Sequence, residues 1–130
     1  MMFKSIKIKK YNSINGSLAP IYLKKISKFK IKRFFILYGK KNTIRGKHAH
    51  KKCTQIFIPL KGKSQIKLEK KNSKKIILNP RSLKILKVSP LTWCEIRFLT
   101  NDCLILVLCD VDYSEKEYIR KYKNFLKIIN

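Results

Sequence analysis

Arg45-Gly46-Lys47-His48-Ala49-His50-Lys51-Lys52 carries both histidines of the chain, and segments that read as β-strands lie on either side of it. Along an extended strand, successive side chains point to opposite faces. His48 and His50 therefore share one face, and the small Ala49 takes the other. Two imidazoles aimed into one cavity can ligate a metal ion or move protons near neutral pH. The plain alternative is a pair of solvated loop histidines in a lysine-rich neighbourhood, so the surrounding sequence has to decide.

Upstream, Ile31-Lys-Arg-Phe-Phe-Ile-Leu-Tyr38 reads as a strand, followed by a loop at Gly39-Lys-Lys-Asn42. Downstream, Gln55-Ile-Phe-Ile-Pro-Leu60 is a strand that turns at Lys61-Gly62-Lys63. Ser64 to Glu69 alternates cleanly, and Lys70 to Lys74 reads as a hairpin tip. Ile76 to Leu78, Ser82 to Val88, Trp93 to Phe98 and Leu104 to Cys109 continue the series. Nearer the N-terminus, Ile6 and Ile8 alternate with lysine, and Asn15-Gly16 makes a turn. Short strands at a spacing of roughly 8–12 residues indicate an antiparallel sandwich or barrel, not βαβ units. From Ser114 the period changes: Tyr118, Ile119, Tyr122, Phe125, Leu126 and Ile129 recur at helical intervals. Ser114 with Glu117 fits a capping box at the start of that helix. The expected architecture is an all-β antiparallel barrel finished by one amphipathic helix, packed on the barrel or on a partner subunit. At 130 residues it is expected to be one domain, residues 1–130, with one core.

The net charge of +25 suggests nucleic acid at first sight, but its make-up argues against that. Of 32 basic residues only five are arginine, namely Arg33, Arg45, Arg81, Arg97 and Arg120. The lysines are spread along the whole length, and isoleucine and asparagine are also plentiful, as an AT-rich genome would produce. Arginine suits bidentate recognition of phosphates and bases, so its scarcity disfavours base reading. An anionic small ligand accounts for the charge equally well. No apolar run approaches the roughly 20 residues a membrane helix needs. The N-terminal stretch alternates lysine with apolar residues and does not resemble a signal peptide, which makes the cytoplasm the expected location. Cys53, Cys94, Cys103 and Cys109 form no Cys-x-x-Cys pair and are expected as buried thiols in a reducing compartment.

His-x-His, four residues, Gln55, six residues and Gly62 together resemble the first motif of the cupins, a double-stranded β-helix family related to the jelly roll. Metal-binding cupins carry glutamate where Gln55 stands, and take a third histidine from a later strand, where this chain has Cys94. A carboxamide and a lone thiol are a poor replacement for that ligand set. A metal centre of His48, His50 and Cys94 is the alternative to the favoured metal-free cavity.

A wider set of residues falls in order: Gly16-Ser17-Leu18, Ile31-Lys32-Arg33, Arg45-Gly-Lys-His-Ala-His-Lys51, Gln55, Gly62, Trp93 with Glu95, and Tyr118-Ile-Arg-Lys-Tyr-Lys-Asn-Phe125. Together they resemble the nucleotide-sugar 3,4-ketoisomerases of the WxcM-like type, which act on dTDP-4-keto-6-deoxyglucose. The resemblance implies an isomerase without a cofactor, a homodimer, and a dTDP-linked 4-keto-6-deoxy sugar as substrate. The make-up of the charge and the lack of a long apolar run leave nucleic acid and membrane as unexpected partners. The pathway neighbours would be a 4,6-dehydratase and a PLP-dependent aminotransferase, in deoxyaminosugar biosynthesis for cell-surface glycans such as lipopolysaccharide.

The residue types suit that chemistry. Moving a ketone from C4 to C3 removes the C3 proton, passes through an enediol and delivers a proton to C4. A base with a pKa near 7 serves both directions. His48 is assigned the carbon-bound proton and His50 the part of partner or hydroxyl shuttle. Arg45 and Arg33 are candidates for gripping the diphosphate, the first also for polarising the enediolate. Their plain alternatives are a loop-closing contact and an edge-strand surface charge. Lys51 matches the family lysine or is simply solvated. Gln55 is a candidate for a sugar hydroxyl or for orienting an imidazole, and Trp93 lines the pocket or sits in the core. Tyr118, Arg120, Tyr122 and Phe125 are read as helix packing, including a dimer contact.

Phe34-Phe35-Ile36 departs from relatives that commonly have tyrosine in this strand, and Cys94 from those with histidine after the tryptophan. The Gly16-Ser17-Leu18 resemblance leans to a galacto-configured product, with the Asn15-Gly16 loop bordering the choice. Thymidine rather than uridine rests on the resemblance alone. A non-catalytic or metal-dependent cupin binding a sugar nucleotide or small acidic ligand is the reading from a different class.

Overall fold

The computed structural model describes residues 3–26 and 28–130. Met1 and Met2, which begin the alternating N-terminal stretch, lie outside the described residues. The strands run β1 (Phe3–Lys7), β2 (Tyr11–Ser13), β3 (Gly16–Leu18), then a short helix α1 (Leu23–Ile26) and β4 (Arg33–Gly39). They continue with β5 (Ile44–His50), β6 (Gln55–Lys61), β7 (Ser64–Glu69), β8 (Ser73–Leu78) and β9 (Lys84–Val88). Last come β10 (Trp93–Phe98), β11 (Cys103–Cys109), β12 (Tyr118–Ile119) and the helix α2 (Tyr122–Ile129).

Two antiparallel five-stranded sheets form a cupin-type jelly roll, one ordered β1-β9-β6-β11-β4 and the other β12-β5-β10-β7-β8. The β2–β3 hairpin stands apart, its register Ser13↔Gly16 placing Ile14 and Asn15 at the tip. The main core fills the space between the sheets. Phe57, Leu86, Ile105 and Val107 from the first meet Ile66, Leu68, Ile96 and Phe98 from the second. A second cluster covers the far side of the first sheet, where Ile56, Ile58, Ile85 and Leu108 pack with Phe29 and the α1 residues Leu23 and Ile26. Buried on both faces, β6 and β11 read as near-continuous apolar runs, whereas β7, solvated on one face, alternates.

The C-terminal segment corrects one expectation. Ser114 makes no side-chain capping bond, and only a single turn of 3₁₀ helix follows, over Glu115–Glu117. Glu117 is engaged elsewhere. Its Oε1 accepts hydrogen bonds from the backbone N–H groups of Lys52 (2.5 Å) and Cys53 (2.6 Å), and its carbonyl accepts from Lys51 N at 2.9 Å. These contacts dock the chain on the edge of β5, and Tyr118 and Ile119 become a strand opposite His50 and Ala49. The helix is confined to Tyr122–Ile129, where Phe125 is fully buried against Ala49, Trp93 and Ile119. Ala49 faces outward, as alternation requires, and its small side chain lets the helix approach the sheet.

Candidate active site

The site begins with an irregularity in β5. Its pairing with β10 runs Ile96↔Arg45 and Glu95↔Gly46, then jumps to Cys94↔His48, leaving Lys47 without a partner. This is a β-bulge, one extra residue on one strand. Gly46 and Lys47 have φ of +85° and +56°, and a Cβ at position 46 would stand 2.8 Å from the carbonyl oxygen of Cys94. Glycine is therefore required here. Because the bulge resets the alternation, Arg45 and His48, an odd and an even position, reach the same cavity.

That cavity, of about 280 Å³, lies between the sheets. Arg45, His48 and Cys94 form one wall, and Phe35 and Gln55 contribute from the opposite sheet. Tyr113, Tyr118 and Arg120, from the segment after β11, complete it.

His48 Nδ1 lies 3.0 Å from the carbonyl oxygen of Gly46. A carbonyl only accepts, so the proton is assigned to Nδ1 and the lone pair to Nε2. Burial, chiefly, lowers the His48 pKa below its ordinary 6.5; the Arg120 and Arg45 charges act in the same direction, against the Gly46 bond and Glu115. The imidazole is thus neutral at pH 7, in the form that accepts a proton. His50 meets it edge to face, with ring centroids 5.0 Å apart. His50 is only 6% exposed, and neither ring nitrogen has a hydrogen-bond partner among the described residues. Burial first, then the neighbouring His48, Arg33 and Arg120, push its pKa down to about 3.

Tyr118 packs on both histidines, its ring centroid 5.0 Å from that of His48 and 4.4 Å from that of His50. Its hydroxyl accepts a hydrogen bond from an Arg33 terminal N–H at 3.1 Å. The Arg33 guanidinium also lies over the rings of Phe35 and Tyr113, at 5.1 and 5.5 Å. Arg120 covers the Tyr118 ring at 4.4 Å and holds Glu115 through two bonds of 2.5 and 3.0 Å. The Tyr113 hydroxyl donates to the same carboxylate at 2.8 Å. These bonds, that of Arg120 foremost, hold the Glu115 pKa down at about 2.

Of the residues singled out from sequence, Arg45, His48 and Gln55 line the cavity, while His50 and Arg33 stand against it through Tyr118. Gln55 is buried and donates to Cys109 Sγ at 3.4 Å. Two residues fall elsewhere. Trp93 is on the outer face of β10, packed against Phe125 and Tyr122 and bonded through Nε1 to Glu95 at 3.0 Å. It is a core residue under α2, because its neighbour Cys94 takes the inward position. The Lys51 side chain is exposed and borders a shallow surface depression beside α2 instead. The Asn15-Gly16 hairpin is likewise exposed and gives no residue to the cavity of its own chain.

Tyr113, Tyr118, Arg120 and Glu115 were not expected at the site. The signal for Tyr118 was its chemistry, a tyrosine two residues from an arginine in a family signature, and helical spacing obscured it. Among the described residues no three His, Cys, Asp or Glu side chains converge. Cys94 does face His48 across the strand pair, but burial pushes its thiol up to about 12 and keeps it protonated.

The fold and the site define a cupin-type protein whose central cavity is built for proton transfer, with a neutral imidazole among arginines and tyrosines. A family model described as FdtA: WxcM-like, C-terminal matches residues 1–130, and the chain belongs to that family. It is 36% identical over 127 residues to the TDP-4-oxo-6-deoxy-α-D-glucose-3,4-oxoisomerase of Aneurinibacillus thermoaerophilus, covering 97% of this chain and 91% of that protein. A 3,4-ketoisomerase from Helicobacter canadensis superposes with a TM-score of 0.91 at 36% identity, covering 99% and 98% of the two chains. QdtA, a sugar 3,4-ketoisomerase from Thermoanaerobacterium thermosaccharolyticum solved in complex with TDP, gives 0.89 at 35% identity, covering 98% and 94%. A histidine-to-asparagine variant of QdtA is known in complex with TDP-4-keto-6-deoxyglucose.

Proposed function

We propose that this protein is a cofactor-independent sugar-nucleotide 3,4-ketoisomerase converting dTDP-4-keto-6-deoxy-D-glucose to a dTDP-3-keto-6-deoxyhexose. The observation that carries the reading is His48, held neutral by burial with Nδ1 engaged by Gly46 and Nε2 left as the basic nitrogen. His48 removes the C3 proton and returns it at C4, and one base in one pocket serves both steps through the enediol. His50 supports the His48 ring from behind. Arg45, at the cavity wall, serves the diphosphate or the developing enediolate. The activities of the relatives support the same substrate class.

The four cysteines are free and buried, which suits a reducing cytoplasm. Phe34, Ile36 and Tyr38 are exposed along the edge strand β4, which suits a homodimer sealed across that edge. A 4,6-dehydratase would supply the substrate, and a PLP-dependent aminotransferase would consume the product on the way to a cell-surface glycan. The product is assigned the galacto configuration on the Gly16-Ser17-Leu18 resemblance.

The test is incubation with dTDP-4-keto-6-deoxyglucose in deuterium oxide, followed by NMR. The expected result is a 3-keto product with an axial C4 hydroxyl, carrying at C4 either the hydrogen moved from C3 or, where the His48 imidazolium exchanges with solvent before delivery, deuterium. A substrate unchanged, with no exchange at C3, would overturn the assignment.

A further inference from the structure

A ketone that moves from C4 to C3 relocates two hydrogens, one on carbon and one on oxygen. His48 accounts for the first. The second must leave O3 and arrive at O4, and a single imidazole cannot hold both protons at once. We propose that Tyr118, gripped by Arg33, is the group that carries the oxygen-bound proton; the inference rests on the ketoisomerase reading above.

The other candidates around the cavity are already occupied or inert. Phe35 lines the cavity but has no titratable group. The Cys94 thiol is fully protonated at neutral pH because burial holds its pKa near 12. The Tyr113 hydroxyl is turned to Glu115 and the residue is 60% exposed. His50 is shielded behind Tyr118 and resists protonation, its pKa lying near 3. Tyr118 lies beside His48 at 5.0 Å between ring centroids, and it borders the same cavity. Its oxygen accepts from Arg33 at 3.1 Å, so the phenolic proton is free to point at another acceptor. The same Arg33 bond stabilises a phenolate when that proton leaves, as a charge-assisted hydrogen bond.

The steps balance without any oxidant. His48 Nε2 takes the C3 proton, the C3–H electron pair becomes the C3=C4 double bond, and the C4 carbonyl pair moves to O4. O4 takes the proton of the Tyr118 hydroxyl, giving the enediol and a phenolate held by Arg33. The phenolate then takes the O3 proton, the O3 electrons form the C3 carbonyl, and the double-bond pair takes the proton back from His48 at C4. Enzyme and proton count return to their starting state. Because O3 and O4 are vicinal on one ring, one phenol oxygen can reach both.

The test compares the wild-type chain with Tyr118→Phe and Arg33→Lys on dTDP-4-keto-6-deoxyglucose, measuring kcat, KM, the pH–rate profile and thermal unfolding. Tyr118→Phe removes one oxygen and keeps the ring packed on both histidines. The expected result is a kcat lowered by about 10²-fold or more, with KM within roughly threefold and an unchanged unfolding temperature. Arg33→Lys is expected to lower kcat by about tenfold and to displace the basic limb of the pH profile, because a lysine holds the phenolate without the fork of a guanidinium. Tyr118→Phe turning over within threefold of wild type overturns the proposal. A loss that tracks a raised KM or a lowered unfolding temperature overturns it too, since that marks a packing role. If the wild-type chain itself forms no 3-keto sugar, the ketoisomerase reading has failed instead.

Discussion

The inner face of β5 holds Arg45, His48 and His50, and the outer face of the same strand holds Ala49 beneath Trp93, Ile119 and Phe125. Both faces are covered, yet they are built on opposite principles. The outer face is dry and apolar, and each group there adds stability through burial. The inner face half-buries His48 and buries His50 with no partner for either nitrogen among the described residues, an arrangement that costs roughly 1–3 kcal/mol for each unmade bond. Nothing in packing alone calls for that cost. A strand that accepts it on one side, and offsets it on the other, is organised around the chemistry of its inner side.

Substitutions can separate the two faces. The largest effect is expected from His48→Asn, which should lower kcat by about 10²–10⁴-fold while the unfolding midpoint stays within a few degrees. Steady-state kinetics on the keto sugar nucleotide, with calorimetry beside it, reads both. Phe125→Ala should do the reverse. Emptying a fully buried site is expected to remove about 3–5 kcal/mol of stability by urea unfolding, with the fraction still folded keeping its kcat. If that folded fraction lost its activity, the two faces would not be separable.

Gly46→Ala tests the joint between them. An added Cβ would meet the Cys94 carbonyl at 2.8 Å in a left-handed conformation, with an expected cost of about 1–3 kcal/mol. Activity should fall as well, since the Gly46 carbonyl fixes the His48 tautomer. An equally stable and active variant would remove the bulge from the account.

The smallest effect at neutral pH belongs to His50. Its pKa is lowered from 6.5 to about 3 on folding, so between those values the unfolded chain binds the extra proton. Stability is therefore complete above about pH 6.5 and is lost as pH falls toward 3, by at most about 1.4 kcal/mol per pH unit from this group. His50→Asn should flatten that slope in urea unfolding measured across the range; an unchanged slope would mean the group is not held neutral. For the same reason the acidic limb of kcat/KM, set by His48, is expected below 6.5.

Much of this was legible in the chain. Alternation in Ser64–Glu69 and the apolar runs of β6 and β11 marked strands that the fold contains, and His48 and His50 stand near each other on the inner side as their spacing implied. The bulge was not legible. Strict alternation sends Arg45 to the face opposite His48, and only the jump in register opposite Cys94 and Glu95 brings them together. Trp93 was open between pocket and core, and its neighbour Cys94 took the inward place. Tyr118 and Ile119 fitted a helical period with Tyr122 and Phe125, and the carboxylate of Glu117, spent on Lys52 and Cys53, held them extended instead.

The sequence by itself determined the strand pattern, the paired histidines and the motifs that the family shares, because these depend on residues close together in the chain. Only the tertiary structure decided that His48 is neutral, that Trp93 lies outside the cavity, and that Tyr118 meets Arg33 from 85 residues away. Desolvation and cross-strand pairing are set by distant segments, and no local period records them.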